Sequence, residues 1–110
     1  MASPARLRAT IASVTTAPDE LRELRAFHKA LADVNRLRLV RRLADGPATV
    51  AELTEHVGLS QPLVSWHLGR LRSAGLVDMR RNGRETVCSL RPAVLAEAEQ
   101  RQRSWLGLTR

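Results

Sequence analysis

Cysteine, lysine and aromatic residues are nearly missing from this chain. Cys88 is the only cysteine, so no intrachain disulfide can form and a reducing compartment is expected. Tyrosine is absent, and Phe27, Trp66 and Trp105 are the only Phe or Trp residues. The core must therefore be built from Leu, Val and Ala, which suits a helical protein. No apolar run approaches the length of a membrane span and no signal-like stretch opens the sequence, so a cytoplasmic protein without membrane contact is expected. Lysine occurs once, at Lys29; Arg supplies the rest of the 18 cations, against 11 acidic residues, for a net charge of +7. Guanidinium forks match phosphates and guanine edges, so a nucleic-acid partner fits this balance. Arg and Ala richness is also what a GC-rich genome produces, so the distribution of charge decides rather than its total.

At 110 residues the chain makes one domain, large enough for a core but marginal as a monomer. Residues 1–17 are weakly patterned and read as an N-terminal arm or short helix, leaving 18–110 as the folded domain. A first helix is predicted from Pro18, with Leu21, Leu24, Phe27, His28 and Leu31 on one apolar face. Asp33 is placed to cap a second helix carrying Leu37, Leu39, Val40 and Leu43, which Asp45-Gly46-Pro47 stops. Thr49-Val50-Ala51-Glu52 has the spacing of a capping box and opens a third helix with Ala51, Leu53 and Val57 inward. Gly58-Leu59 makes a tight turn, and Ser60 caps a fourth helix. Two short helices joined by so short a Gly turn form a helix-turn-helix. Leu76–Arg81 and Glu85–Leu90 flank Asn82-Gly83, a strong hairpin signal. A last helix spans about Pro92 to Leu108.

On the fourth helix the spacing puts Val64, His67, Leu68 and Leu71 on the core face and Pro62, Trp66, Gly69 and Ser73 opposite, flanked by Gln61, Ser65, Arg70 and Arg72. N-terminal residues of a groove-docked helix reach base edges: Gln61 suits adenine, and Ser65 a base or a phosphate. The indole of Trp66 either covers thymine methyls or packs on a neighbouring element. Arg80, Arg81 and Arg84 crowd the hairpin tip, where they can grip phosphates. The expected DNA-contacting set is thus Ser60, Gln61, Pro62, Ser65, Trp66, Gly69, Arg70, Arg72, Arg80, Arg81 and Arg84. The fold expected is mainly α with a small β-hairpin, a winged helix-turn-helix of about five helices and a two-stranded wing. No paired carboxylate–His constellation, nucleophile with an adjacent base, or phosphate loop is present, so no catalytic activity is expected.

Three pieces in this order, ALADVNRLRLVRRL (30–43), TVAELTEHVGLSQPLVSWHLGRLRSAGLV (49–77) and RRNGRETVCSL (80–90), resemble the ArsR/SmtB family of small bacterial winged-helix repressors. The resemblance implies a homodimer joined through its first and last helices, on a twofold-symmetric double-stranded DNA operator. Leu21, Leu24, Val94, Leu95, Trp105 and Leu106 are the interface candidates. Many members of the family release DNA when a metal binds. Where two Cys flank the start of the third helix in one such site, this chain has Thr49 and Ala51. Where another uses His on the last helix, this chain has Glu97 and Glu99 but no His. No metal or cofactor is therefore expected, although His28, His56 and Cys88 are leftover donors; Cys88 is read as a small buried hydrophobe. The protein is then unliganded, or its signal comes from a small molecule, an atypical metal site, or a separate sensor or co-repressor protein. The competing reading is a winged-helix module that binds another protein alongside such a sensor instead of DNA.

Overall fold

The computed structural model describes residues 19–108, so the predicted arm or helix over 1–17 lies outside the described residues. The described chain is helical over 19–31 (α1), followed by α2 (Val34–Leu43), a two-residue strand β1 (Ala48–Thr49), α3 (Val50–Val57), α4 (Gln61–Ser73), β2 (Val77–Asn82), β3 (Glu85–Leu90) and α5 (Pro92–Trp105). The strands form an antiparallel sheet in the order β1-β3-β2. The expected two-stranded wing therefore has a third strand: Ala48 pairs with Cys88 and Thr49 with Val87. The Asp-Gly-Pro stop leaves Ala48 and Thr49 extended beside β3, and two residues carry too little periodicity to announce a strand.

Local chemistry sets the helix ends. The Asp33 carboxylate accepts from the amides of Asn35 (2.8 Å) and Arg36 (3.1 Å) at the start of α2. At α3 the capping box is complete: the Thr49 hydroxyl accepts from the Glu52 amide (3.1 Å) and the Glu52 carboxylate accepts from the Thr49 amide (3.4 Å). Gly58 then takes the left-handed φ of +71° that a side chain would resist, and the chain turns into α4 within three residues, Gly58 to Ser60. Ser60 occupies the N-cap of α4, but its hydroxyl makes no capping bond. Pro62 in the first turn removes one of the amides it would have served.

One core joins these elements, with Leu39, Leu53, Val64, Leu68, Leu71, Leu76 and Cys88 fully enclosed. The inward stripe of α4 is the expected Val64, His67, Leu68 and Leu71. Three expected inward residues face solvent instead. On α2 the buried stripe is Arg36, Leu39 and Leu43, a spacing of three and then four that turns Leu37 outward. On α3 it is Val50, Leu53 and Val57, so Ala51 is exposed. On α1, His28 lies outside the apolar face and its ring hydrogen-bonds the Gln102 side chain of α5. No described helix is long and apolar enough to cross a membrane.

Candidate nucleic-acid interface

The N-terminal half of α4 and the wing face one another across a cleft of about 240 Å³. Gln61 and Ser65 line it from the helix, Arg81, Arg84 and Glu85 from the wing, and Thr49 and Val50 from the start of α3. Side-chain alternation along β2 explains the choice of cations. Val77 and Met79 turn toward the helices, so Arg81 follows them into the cleft, while Asp78 and Arg80 turn to the opposite face. There the Arg80 Nε donates to Asp78 Oδ2 at 2.9 Å. The three tip arginines are thus not equivalent. Arg81 and Arg84 address the cleft, and Arg80 is partly neutralised.

The tip turns one residue later than the Asn82-Gly83 reading. Asn82 still pairs with Glu85, leaving Gly83 and Arg84 as the two loop residues. Gly83 has φ +65° and no other residue of the turn has a positive φ, which is the pattern of a turn with Gly first. The shift lifts Arg84 to the outermost point of the hairpin.

Along α4 the outward face carries Pro62, Trp66 and Gly69, with Ser65 and Gln61 toward the wing and Arg70 toward α1. Arg72 is exposed in the last turn. Trp66 is 55 % exposed, which settles that it is not a core ring. Two cations flank it, the Arg36 guanidinium 5.7 Å from the ring centre and that of Arg70 at 6.0 Å. Arg36 was missed in the sequence, although its spacing to Leu39 and Leu43 already placed it on the inward stripe. Its Nη2 donates to the Lys29 carbonyl (3.4 Å) and its Nε is buried without a partner.

The interface candidates divide. Leu24 is buried within the chain, and Val94 and Leu95 pack against its core. Leu21, Trp105 and Leu106 stand exposed at the open side of α1 and α5. Between these helices lie two grooves of about 300 Å³ and 310 Å³, both touching Leu24 and Arg101.

The leftover donors stay apart. His28 bonds Gln102, His56 is exposed at the end of α3, and Cys88 is buried, where burial pushes its thiol up to about 11. Among the described residues, no three His, Cys, Asp or Glu side chains are grouped so as to hold a metal ion.

The family model described as "Bacterial regulatory protein, arsR family" matches residues 33–79. The HTH-type transcriptional regulator CmtR of Mycobacterium bovis is 40 % identical over 81 residues, covering 72 % of this chain and 69 % of that protein. A probable mercury resistance operon repressor of Streptomyces lividans is 48 % identical over 59 residues, covering 54 % of this chain and 47 % of that protein. The chain thus spans about half the length of the Streptomyces relative. The solution structure of a homodimeric winged helix-turn-helix DNA-binding domain from Mycobacterium bovis superimposes with a TM-score of 0.64 at 26 % identity, covering 82 % of each chain.

Proposed function

The chain belongs to the ArsR family of bacterial regulatory proteins, and from that premise we propose that it is a dimeric repressor that binds a twofold-symmetric DNA operator. The observation that carries this reading is the cleft in which Gln61 and Ser65 of α4 stand opposite Arg81 and Arg84 of the wing. A duplex edge seated there meets hydrogen-bonding groups from the helix and cations from the wing. Base edges are then read by Gln61 and Ser65, while Arg81 and Arg84 hold phosphates on either side of the groove. Ser60, whose hydroxyl has no work within the helix, is available for a phosphate at the first turn. Pro62, Trp66 and Gly69 present an uncharged strip suited to thymine methyls and the sugar wall, and Arg70 and Arg72 add positive potential around it, with Arg80, paired to Asp78, contributing least.

One chain offers one such surface, and twofold symmetry doubles it. The exposed Leu21, Trp105 and Leu106 are apolar area that a second copy would bury, and the grooves between α1 and α5 set charged side chains (Glu20, Glu23, Glu97, Arg101) beside it. A dimer joined there places two α4 helices in successive major grooves, about 34 Å apart. Leu24, Val94 and Leu95 support that interface from beneath.

Fluorescence anisotropy on the chain's own upstream DNA and on an unrelated duplex, across a salt series, tests the proposal. Preference for the upstream duplex together with affinity that falls steeply with salt is expected. Equal affinity for both duplexes, or affinity indifferent to salt, refutes it.

A further inference from the structure

A second basic surface lies on the opposite flank of α4 from the wing. Arg22, Arg25 and Lys29 recur at three- and four-residue spacing on α1, and with Arg70 of α4 they line a groove of about 290 Å³ floored by Ala30 and Ala74. All 11 acidic residues of the chain fall within the described segment, and none lines this groove. Arg22 alone has an acidic neighbour, Asp19 at 4.0 Å, and that pair is more than 80 % exposed and therefore weak. Arg25, Lys29 and Arg70 take part in no ion pair among the described residues. Positive charge is reinforced from below. The buried Arg36 reaches the Lys29 carbonyl and shares the Trp66 ring with Arg70, and its Nε is unpartnered. Four cations around a small apolar floor, backed by a fifth, repel one another until an anion sits between them.

We propose that this groove binds a small organic anion bearing two or more negative charges, of the polycarboxylate or phosphate-ester class. The volume is at the small end for ligand cavities, and the alanine floor accepts a short carbon body that a bare ion would not use. A DNA backbone shares the anionic chemistry, but Gln61, Ser65, Arg81 and Arg84 gather on the other flank of α4. A ligand seated against α1 and α4 bridges a candidate dimer helix and the DNA-reading helix. Its role as an effector rests on the regulatory reading above; the binding itself does not.

Calorimetric titration of the full chain with pyrophosphate and with citrate, at constant ionic strength, tests the site. Saturable binding of one anion per chain in the micromolar range is expected. The double variant R25A/K29A should weaken it at least about tenfold, since two of the four lining charges are lost, whereas R84A at the wing should leave it unchanged. Both altered side chains are on the exposed face of α1; K29Q, which keeps the stem and removes only the charge, gives the same reading at smaller amplitude. Pyrophosphate binding equal in the wild type and in R25A/K29A overturns the proposal. So does an operator affinity that falls as far in R25A/K29A as in R84A, because the groove would then be a DNA backbone contact. Groove-dependent pyrophosphate binding by a chain with no operator preference would sink the regulatory reading and keep the site. Operator binding with groove-independent pyrophosphate binding would do the reverse.

Discussion

Gly69 sits at mid-helix in α4, on the face expected to meet DNA, and nothing in the protein accounts for it. Its φ is not positive, so the backbone does not require glycine there. A Cβ built on it meets no atom within 4 Å, so packing does not require glycine either. Glycine inside a helix costs about 0.5–1 kcal/mol relative to alanine. The change Gly69→Ala should recover that amount in the free protein, raising the unfolding temperature by roughly 2–8 °C for a domain of this size. If the missing side chain makes room for the duplex, the same methyl must intrude on the DNA. An overpacked contact of that kind costs about 1–3 kcal/mol, which is roughly five- to 150-fold in operator affinity. Thermal unfolding followed by circular dichroism and anisotropy on operator DNA read the two effects separately. The expected result is opposite signs, a more stable protein that binds less tightly. A stabilised variant with unchanged operator affinity would take Gly69 out of the interface. A destabilised variant would refute the premise that the space around it is open.

Four further outcomes are expected. Arg81→Ala and Arg84→Ala should each weaken operator and random DNA alike and reduce the salt slope by about one, as salt-series anisotropy would show; Arg80→Ala, already paired to Asp78, should do less. Gln61→Ala should narrow the gap between operator and random DNA by about 1–3 kcal/mol, measured by competition. Cys88, with its thiol pushed up to about 11 by burial, should resist a thiol-specific reagent at neutral pH until the protein unfolds, and Cys88→Ser should cost about 1–3 kcal/mol by enclosing a hydroxyl. The Asp33 carboxyl is held below its usual value, mainly by the Arg36 amide it accepts from. The stability it adds is therefore fully present above about pH 4 and fades as pH falls through its lowered native value. Asp33→Ala should accordingly be less stable than the wild type at neutral pH, and the gap should close in an acid denaturation series.

Much of this architecture was legible because its signals are local. The Thr49–Glu52 box, the Asp33 cap, the Gly58 turn and the four-residue core stripe of α4 each depend on neighbours within a helical turn or two. What was illegible depends on distant partners. β1 exists only because β3 passes beside Ala48 and Thr49. The inward stripes of α2 and α3 are set by which ridges the packed core accepts, and that rotated Leu37 and Ala51 outward. The cleft between α4 and the wing was half legible. Residue types at the wing tip announced a cationic hairpin, but only the strand register separates Arg81, turned to the cleft, from Arg80, bonded to Asp78. The pairing of the α1 cations with Arg70 could not be read at all, since more than forty positions separate Arg25 from Arg70 in the sequence.

With no tyrosine in the chain, its two indoles divide the ultraviolet emission between two places. Trp66 lies on the α4 face beside two guanidinium groups, and Trp105 ends α5, exposed beside Leu106. The molecule thus carries a built-in optical sensor at each of the surfaces where a partner is expected. With Trp105 replaced by Phe, intensity and quenching at Trp66 follow events on α4 without any dye. With Trp66 replaced instead, the remaining signal follows the meeting of two copies.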